Sequence, residues 1–490
     1  MDRDALECGQ LKLTAAEFEE PRTLREHLHS NTRWVRRAFV TVSVAGLIGL
    51  LAASGCINPE VVETSSHESA AEDSAAAGAR RLAAQNLKPA IAAPGDVLIA
   101  GGVDALNRTI ASAEFFNPSS GQFVLTGIMQ SGRAGISAAP LSPTQVLLAG
   151  GFSGIATIKN FSLNLDGKIL SSAESFDETT GVFSPTAAMG TPRMGFTATE
   201  LNNGKVLIAG GLDNHDNILD TAELYDPAAR KFVAVANTMS DRRMFQTATL
   251  LLSGKVLIAG GANNLAGETT NTADIYDPAS NSFTPATFPM DHQRAAHTAT
   301  LFTSGPAAGK VLIAGGVGGS GFFFKDSSAE LYDPASQEFV LLSSFMNEPR
   351  SMQTATLLDD GNVLLAGGFS GTVAVTGGLL SGASGLISNS AETFDPSTGD
   401  FTCVGGFNTD TLRCNQSMSV ARAGHTATLL ATGPQPHRVL IAGGIGASDP
   451  AAHGKALASA ELFNPASGGS FTATAPMSIA RALQTATLLR

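Results

Sequence analysis

The chain has 490 residues, of which 43% are apolar and only 15% charged, with a formal charge of −12. The leader up to residue 56 is charge-balanced, so the acidic surplus lies beyond it, and no run of Lys or Arg follows. That argues against nucleic-acid binding, which needs a basic footprint. Scarce charge and 52 Gly suit a sheet-rich protein with many tight turns rather than a disordered chain.

Residues 1–32 are of mixed charge and show no clear period. Arg33, Arg36 and Arg37 then precede an uncharged run from Ala38 to Gly55 that ends at Cys56. Positive charge, a short apolar core and small residues, in that order, form a secretory signal. The run is slightly short for a spanning helix. Its close, Ala53-Ser54-Gly55-Cys56, resembles a bacterial lipoprotein signal, with Ala53 where that family prefers Leu. The resemblance implies lipidation of Cys56 and attachment to a membrane. The residues alone leave open an uncleaved anchor, or an ordinary signal peptide with an incidental Cys. The leader is long for such a signal, which points to a start nearer Val35. Residues 56–93 form the next segment, rich in Ala, Ser and Glu and poor in large apolar side chains, and are read as a flexible tether between the leader (1–55) and a domain spanning 94–490.

That domain is one sentence written seven times. A Gly pair closes a short apolar run at Gly101-Gly102, Gly150-Gly151, Gly210-Gly211, Gly260-Gly261, Gly315-Gly316, Gly367-Gly368 and Gly443-Gly444. A period near 50 residues marks a repeat architecture. Each copy reads as four strands. A short first run such as Gln246–Leu251 leads through a turn into an all-apolar second run, Val256–Ala259, expected to be buried on both faces. An alternating third run, Thr272–Tyr276, stops at Asp277-Pro278, and a fourth carries Phe283. Four antiparallel strands per period make one propeller blade.

Single residues keep register across all seven copies. A Met precedes an Arg by four positions, from Met129/Arg133 to Met477/Arg481, and an acid precedes an aromatic by two, from Glu114/Phe116 to Glu461/Phe463. Seven copies cannot be seven active sites. Arg and acid are expected to pair inside the structure, with Met and aromatics filling the space between sheets.

The pattern resembles the kelch-repeat family, marked by a Gly doublet, a downstream Tyr and a later Trp. The doublet is complete here. Tyr stands at Tyr225, Tyr276 and Tyr332 with Phe in the other copies, and Phe takes the Trp position throughout. The resemblance covers residues 96–490 and implies an all-β, kelch-type β-propeller. Seven first strands and seven second strands are present, but the domain begins on a second strand, Val97–Gly102, and ends on a first, Gln484–Leu489. A seven-bladed ring in which the C-terminal strand completes the first blade follows, with no open edge.

Loops after the second and fourth strands share one face. The longest lie in the second blade (Phe152–Ser172), the sixth (Phe369–Ser390, with Thr402–Val420 after its fourth strand) and the seventh (Ile445–Ser459). Binding concentrates on such elaborated loops. Phe322, Phe323 and Phe324 in the fifth blade and Leu379, Leu380, Leu386 and Ile387 in the sixth are the candidate binding residues, either as an exposed apolar patch or folded inward as a cap. Cys403 and Cys414, the only domain cysteines, read as a disulfide that pins the sixth-blade insertion.

Catalytic readings find less support. Kelch-like copper radical oxidases need a Cys crosslinked to Tyr, a second Tyr and two His. Here the three Tyr occupy repeat positions and no Cys is left once the pair forms. Sialic-acid mutarotases of the same fold need only Glu, Arg and similar residues. His297 and His425 share a slot with Gln246, Gln353 and Gln484, which marks them as hydrogen-bonders rather than bases. The run Asp213-Asn214-His215-Asp216-Asn217 lacks the ligand spacing of a calcium loop and reads as a turn. No catalytic residue, cofactor or metal is assigned. The expected function is a non-catalytic binding scaffold of the cell envelope, recognising a protein or a glycan. A polar cluster at the channel mouth would instead favour a carbohydrate-acting enzyme, apolar fifth- and sixth-blade loops a protein partner, and two featureless faces a purely structural protein.

Overall fold

The computed structural model describes residues 89–159, 162–318, 324–325, 327–370, 372–376, 379–384, 387–410, 413–415, 417–431, 436–446 and 454–490. They form seven four-stranded antiparallel sheets and no α-helix. Blade 4 is typical, with strands Thr247–Leu250, Val256–Ala259, Ala273–Asp277 and Ser282–Pro285 paired in chain order. Its second strand is fully buried, as a continuous Val-Leu-Ile-Ala run demands. The first strands are Thr-Ala-Thr-Leu or close to it and only half-buried. Small side chains suit them, because all seven crowd round one axis. Each first strand lies beside those of the two neighbouring blades, and the seventh closes on the first.

Closure is made by the two ends of the domain. Thr485–Leu488 pairs with Val97–Ala100, placing Val97 opposite Leu488 and Ala100 opposite Thr485. Blade 1 thus takes its innermost strand from the C-terminus, and the ring has seven blades.

Seven apolar clusters fill the seven gaps between blades. In every blade the aromatic of the third strand faces the Phe of the fourth in direct register, with ring centroids 4.7–5.2 Å apart and tilted. Such pairs add to the area they bury. The Met of each copy is buried in the same gaps.

The Gly doublet has a geometric reason. Both glycines are left-handed, at φ 62° and 110° for Gly260 and Gly261. A Cβ on Gly260 would stand 2.4 Å from the Arg294 carbonyl oxygen, and the Gly261 N–H donates to that same oxygen at 2.8 Å. Only Gly allows both the conformation and the approach.

Where long loops were expected, the chain forms additional hairpins on the elaborated face. Phe152–Lys159 pairs with Ser162–Ile169 in blade 2, and Thr372–Thr376 with Leu379–Ser384 in blade 6. Shorter versions occur at Val317–Gly318 with Phe324–Lys325 and at Ile445–Gly446 with Lys455–Ala456. The blade 2 and blade 6 hairpins lie alongside one another through Ser162–Ile169 and Leu379–Ser384.

Candidate functional site

The sevenfold pattern resolves into framework. Each Arg is buried and meets its acid at 2.7–3.1 Å. In Arg243 the Nη1 group also donates to the carbonyls of Gly260 and Thr272, and Nη2 to the Thr272 hydroxyl. The acid accepts from the backbone just after the Met as well: Glu223 takes the N–H groups of Gly190 and Thr191. Desolvation by burial pushes Glu174 up and Arg133 down from their ordinary values, against the attraction each exerts on the other. The Arg–acid contacts of such a cluster tie one blade's last connection to the next blade's sheet.

At the elaborated end of the channel a second ring appears. The residue two after each Arg is left-handed: Gly135, Gly195, Phe245, Ala296, Met352, Gly424 and Leu483, at φ from 52° to 65°. Six of their N–H groups donate to the equivalent carbonyl of the preceding blade at 2.9–3.2 Å, running from Gly135 to Leu483 and on round to Gly195. Phe245, Met352 and Leu483 pack on an apolar cap that includes Phe152, Leu212, Val317, Phe369 and Ile445. Gly195 makes room for the Phe245 ring, since a Cβ there would come within 3.1 Å of it. Among the described residues, this part of the mouth is therefore apolar.

His297 and His425 sit just below, buried, and burial pushes both down to about 3. Each shares a hydrogen bond of 3.0 Å through Nε2 with a Thr of the preceding blade, Thr247 and Thr354. Gln246, Gln353 and Gln484 in the same slot donate to the carbonyls of Ala209, Ala314 and Ala442. The polar run 213–217 is a turn in which Asp213 Oδ1 accepts from the N–H groups of His215 and Asn217. Its Asn214 side chain brackets Ile169, accepting from its N–H and donating to its carbonyl, and so pins the blade 2 hairpin.

The polar recess of this face lies off the axis, in blade 6. A cavity of about 480 Å³ opens between the two long connections of that blade. Glu348 is at its wall, 5% exposed, with Oε2 accepting from the hydroxyls of Ser388 and Ser390 at 3.0 and 2.9 Å. Asn389 lines it from the same connection as the two serines. The opposite side is the hairpin Phe407–Asn408 with Arg413–Cys414, where Asn408 and exposed Arg413 face each other across the pair and both line the cavity. Cys414 is joined to Cys403 as a disulfide, which anchors that hairpin to the fourth strand of the blade. Glu392 lies close to both sulfurs. The set offers nothing to a metal: the sulfurs are bonded to each other, and Glu392 is taken up by Arg350 and by the N–H groups of Asn347 and Glu348.

The other candidate positions divide. Ile387 is buried in the apolar cap, bridged to Phe369, and touches the cavity from beneath, so it is no part of an exposed patch. Leu379 and Leu380 lie in the blade 6 hairpin strand, with Leu380 paired to Val375. Phe324 pairs with Gly318. Phe322, Phe323, Leu386 and Cys56 lie outside the described residues. Glu348, Asn408 and Arg413 were not candidates from sequence. The repeat offers little signal for Glu348, because its position is Ser131, Thr191, Asp241, His292, Val420 or Ile479 in the other copies, so an acid there is shared with blade 4.

No family model matches the chain, and no curated protein matches it. Among solved structures it is similar to YjhT, at 13% identity and a TM-score of 0.47, over 70% of this chain and 97% of that one. It is also similar to a fungal alcohol oxidase of the AA5 family in complex with copper, at 17% identity and a TM-score of 0.51, over 80% of this chain and 75% of that one. Likeness at this identity speaks for the propeller fold alone. A copper-radical ligand set does not fit the described residues: Tyr225 and Tyr276 bond Thr186 and Asn281, and both channel-side His are buried against Thr.

Proposed function

We propose that the chain is a kelch-type, non-catalytic binding scaffold of the cell envelope, tethered through a lipid on Cys56, whose elaborated face holds a glycan in the blade 6 cavity. The observation that carries this is a contrast on one face. At the channel mouth, where a propeller enzyme would gather its reactive groups, Phe245, Met352 and Leu483 pack on an apolar cap. The recess beside it is lined largely by amides, hydroxyls, one carboxylate and one guanidinium. Such a lining matches the alternating donors and acceptors of a saccharide, and the volume suits a small ligand.

A glycan array probed with the full chain tests it. Wild type should capture a restricted set of glycans, and Ala421→Trp, which places a large ring in the cavity wall, should lose them. Capture retained by Ala421→Trp would move the site elsewhere on the face, first to the blade 2 hairpin. Conversion of a captured glycan during incubation would replace the scaffold with an enzyme.

A further inference from the structure

Blade 6 holds one acid more than its framework needs. In each of the other blades, among the described residues, the buried Arg has one acid within 4 Å. Here Arg350 lies 3.1 Å from Glu392 and 3.9 Å from Glu348, so two carboxylates share one guanidinium. Arg350 is otherwise committed, with Nε and Nη2 on Glu392 and Nη1 on the carbonyls of Gly367 and Ser390. Glu348 is not required by the blade, since its position is Ser, Thr, His, Val or Ile in five other copies, and the sixth, Asp241, is partly exposed.

The neighbourhood of Glu348 is built to hold the carboxylate and leave half of it open. Ser388 and Ser390 both donate to Oε2. Oε1 accepts no hydrogen bond among the described residues, although the side chain is buried and lines the cavity. A buried carboxylate in this condition is completed by a cation or by strong donors. Arg413 is the other charge among the described lining residues, but it stands at the exposed rim, where solvent and salt screen it. The carboxylate therefore governs the inner end. None of the described lining side chains is aromatic, so a flat apolar ligand finds no stacking face among them.

We infer that the blade 6 cavity takes a hydroxyl-rich small molecule bearing a protonated amine, an amino sugar being the simplest case, with the ammonium on Glu348 Oε1 and the hydroxyls on the surrounding amides and serines. The inference rests on the reading of this cavity as the ligand site and adds the charge that the ligand must carry. A neutral sugar would leave the excess carboxylate unanswered, and an acidic one would be repelled by it.

Isothermal titration of the full chain with glucosamine, N-acetylglucosamine and glucose at neutral pH tests the inference. Glucosamine should bind about tenfold or more tighter than the other two, the worth of one charge-assisted hydrogen bond. Glu348→Gln should bring it down to their level while leaving the thermal melt near that of wild type. Arg413→Ala changes only an exposed side chain and supplies an independent reading, in which glucosamine binding is kept or tightened as the rim cation goes. Equal binding of the three sugars, a preference that survives Glu348→Gln, or weaker glucosamine binding in Arg413→Ala overturns the amine assignment while leaving a polyol site in place. Failure of all three sugars overturns it too, and the glycan array separates the cases: captured glycans lost in Ala421→Trp keep the cavity as the site, and an empty array removes the reading beneath it.

Discussion

Arg481 reaches Glu114 across the seam where the domain closes on itself. Its Nη2 lies 3.0 Å from Glu114 Oε1, and Nε lies 3.3 Å from the same oxygen, with neither side chain exposed. The two residues are 367 apart in sequence, yet the pair is the same one that joins Arg243 to Asp274 within 31. The seam is thus made like every other gap, and Arg481 is followed directly by the strand that completes blade 1.

Two changes at the seam should differ in kind. Glu114→Gln leaves a buried guanidinium without its counter-charge and should cost about 3–5 kcal/mol in urea denaturation. Deleting residues 484–490 removes the strand opposite Val97–Ala100 and bares a fully buried edge, so the product should aggregate or unfold rather than melt at a lower temperature. A truncated chain with a cooperative melt near that of wild type would show that the last strand is dispensable.

Glycines at the doublet and in open turns share a positive φ but not their surroundings, which permits a separation. Gly361 has φ 89° and nothing within 4 Å of a built Cβ, so Gly361→Ala should cost about 1–2 kcal/mol of left-handed strain. Gly315 has φ 67°, and its Cβ would stand 2.5 Å from the Arg350 carbonyl oxygen and 2.7 Å from the Gln353 amide nitrogen. Gly315→Ala should lose a further ~1–3 kcal/mol for the forced displacement. Equal losses in thermal melts would mean that the doublet is kept for conformation alone.

The framework was legible because it is written seven times, and single-copy features were not. Met, Arg, acid, aromatic and Gly pair each recur in register, and recurrence at that period itself marks a structural role. The left-handed ring is not legible in the sequence, because only Gly135, Gly195 and Gly424 announce it, while Phe245, Ala296, Met352 and Leu483 hold the same conformation under tertiary control. The insertions were placed in the right blades but read as loops, since the pairing of Phe152–Lys159 with Ser162–Ile169 depends on neighbours such as Asn214. Glu348 and Arg413 come from different connections and meet only when blade 6 closes, so nothing local in the sequence joins them.

The disulfide should matter to the cavity more than to the ring. It closes a segment with a sequence separation of 11, worth roughly 2–3 kcal/mol in chain entropy. The segment carries Asn408 and Arg413 and lies outside the four-stranded sheets. Cys403→Ser/Cys414→Ser should therefore raise hydrogen exchange through residues 404–415 by about 100-fold, weaken glycan capture, and move the global melt little. A large fall in the melt with unchanged local exchange would reverse that assignment.

Acid should act on the protein through the two buried histidines. Both are pushed from 6.5 down to about 3 by burial, helped by Arg294 and Arg243 beside His297 and by Arg422 beside His425. A depressed folded-state value means that the unfolded chain binds more protons between 6.5 and 3. Their share of stability is therefore complete above pH 6.5 and is lost as pH falls toward 3. Glu178 runs the other way: burial lifts it from 4.5 to about 7, so its contribution declines as pH rises through that interval. His297→Gln/His425→Gln isolates the first effect, because Gln already fills this slot in three other blades and donates to a neighbouring carbonyl there. The double variant should melt close to wild type at pH 8 and clearly above it near pH 5, the values chosen to bracket about 6.5. Parallel melting curves for the two proteins across that range would show that the imidazoles stay neutral at no cost, or that they are charged in the fold, and would remove them as the source of acid sensitivity.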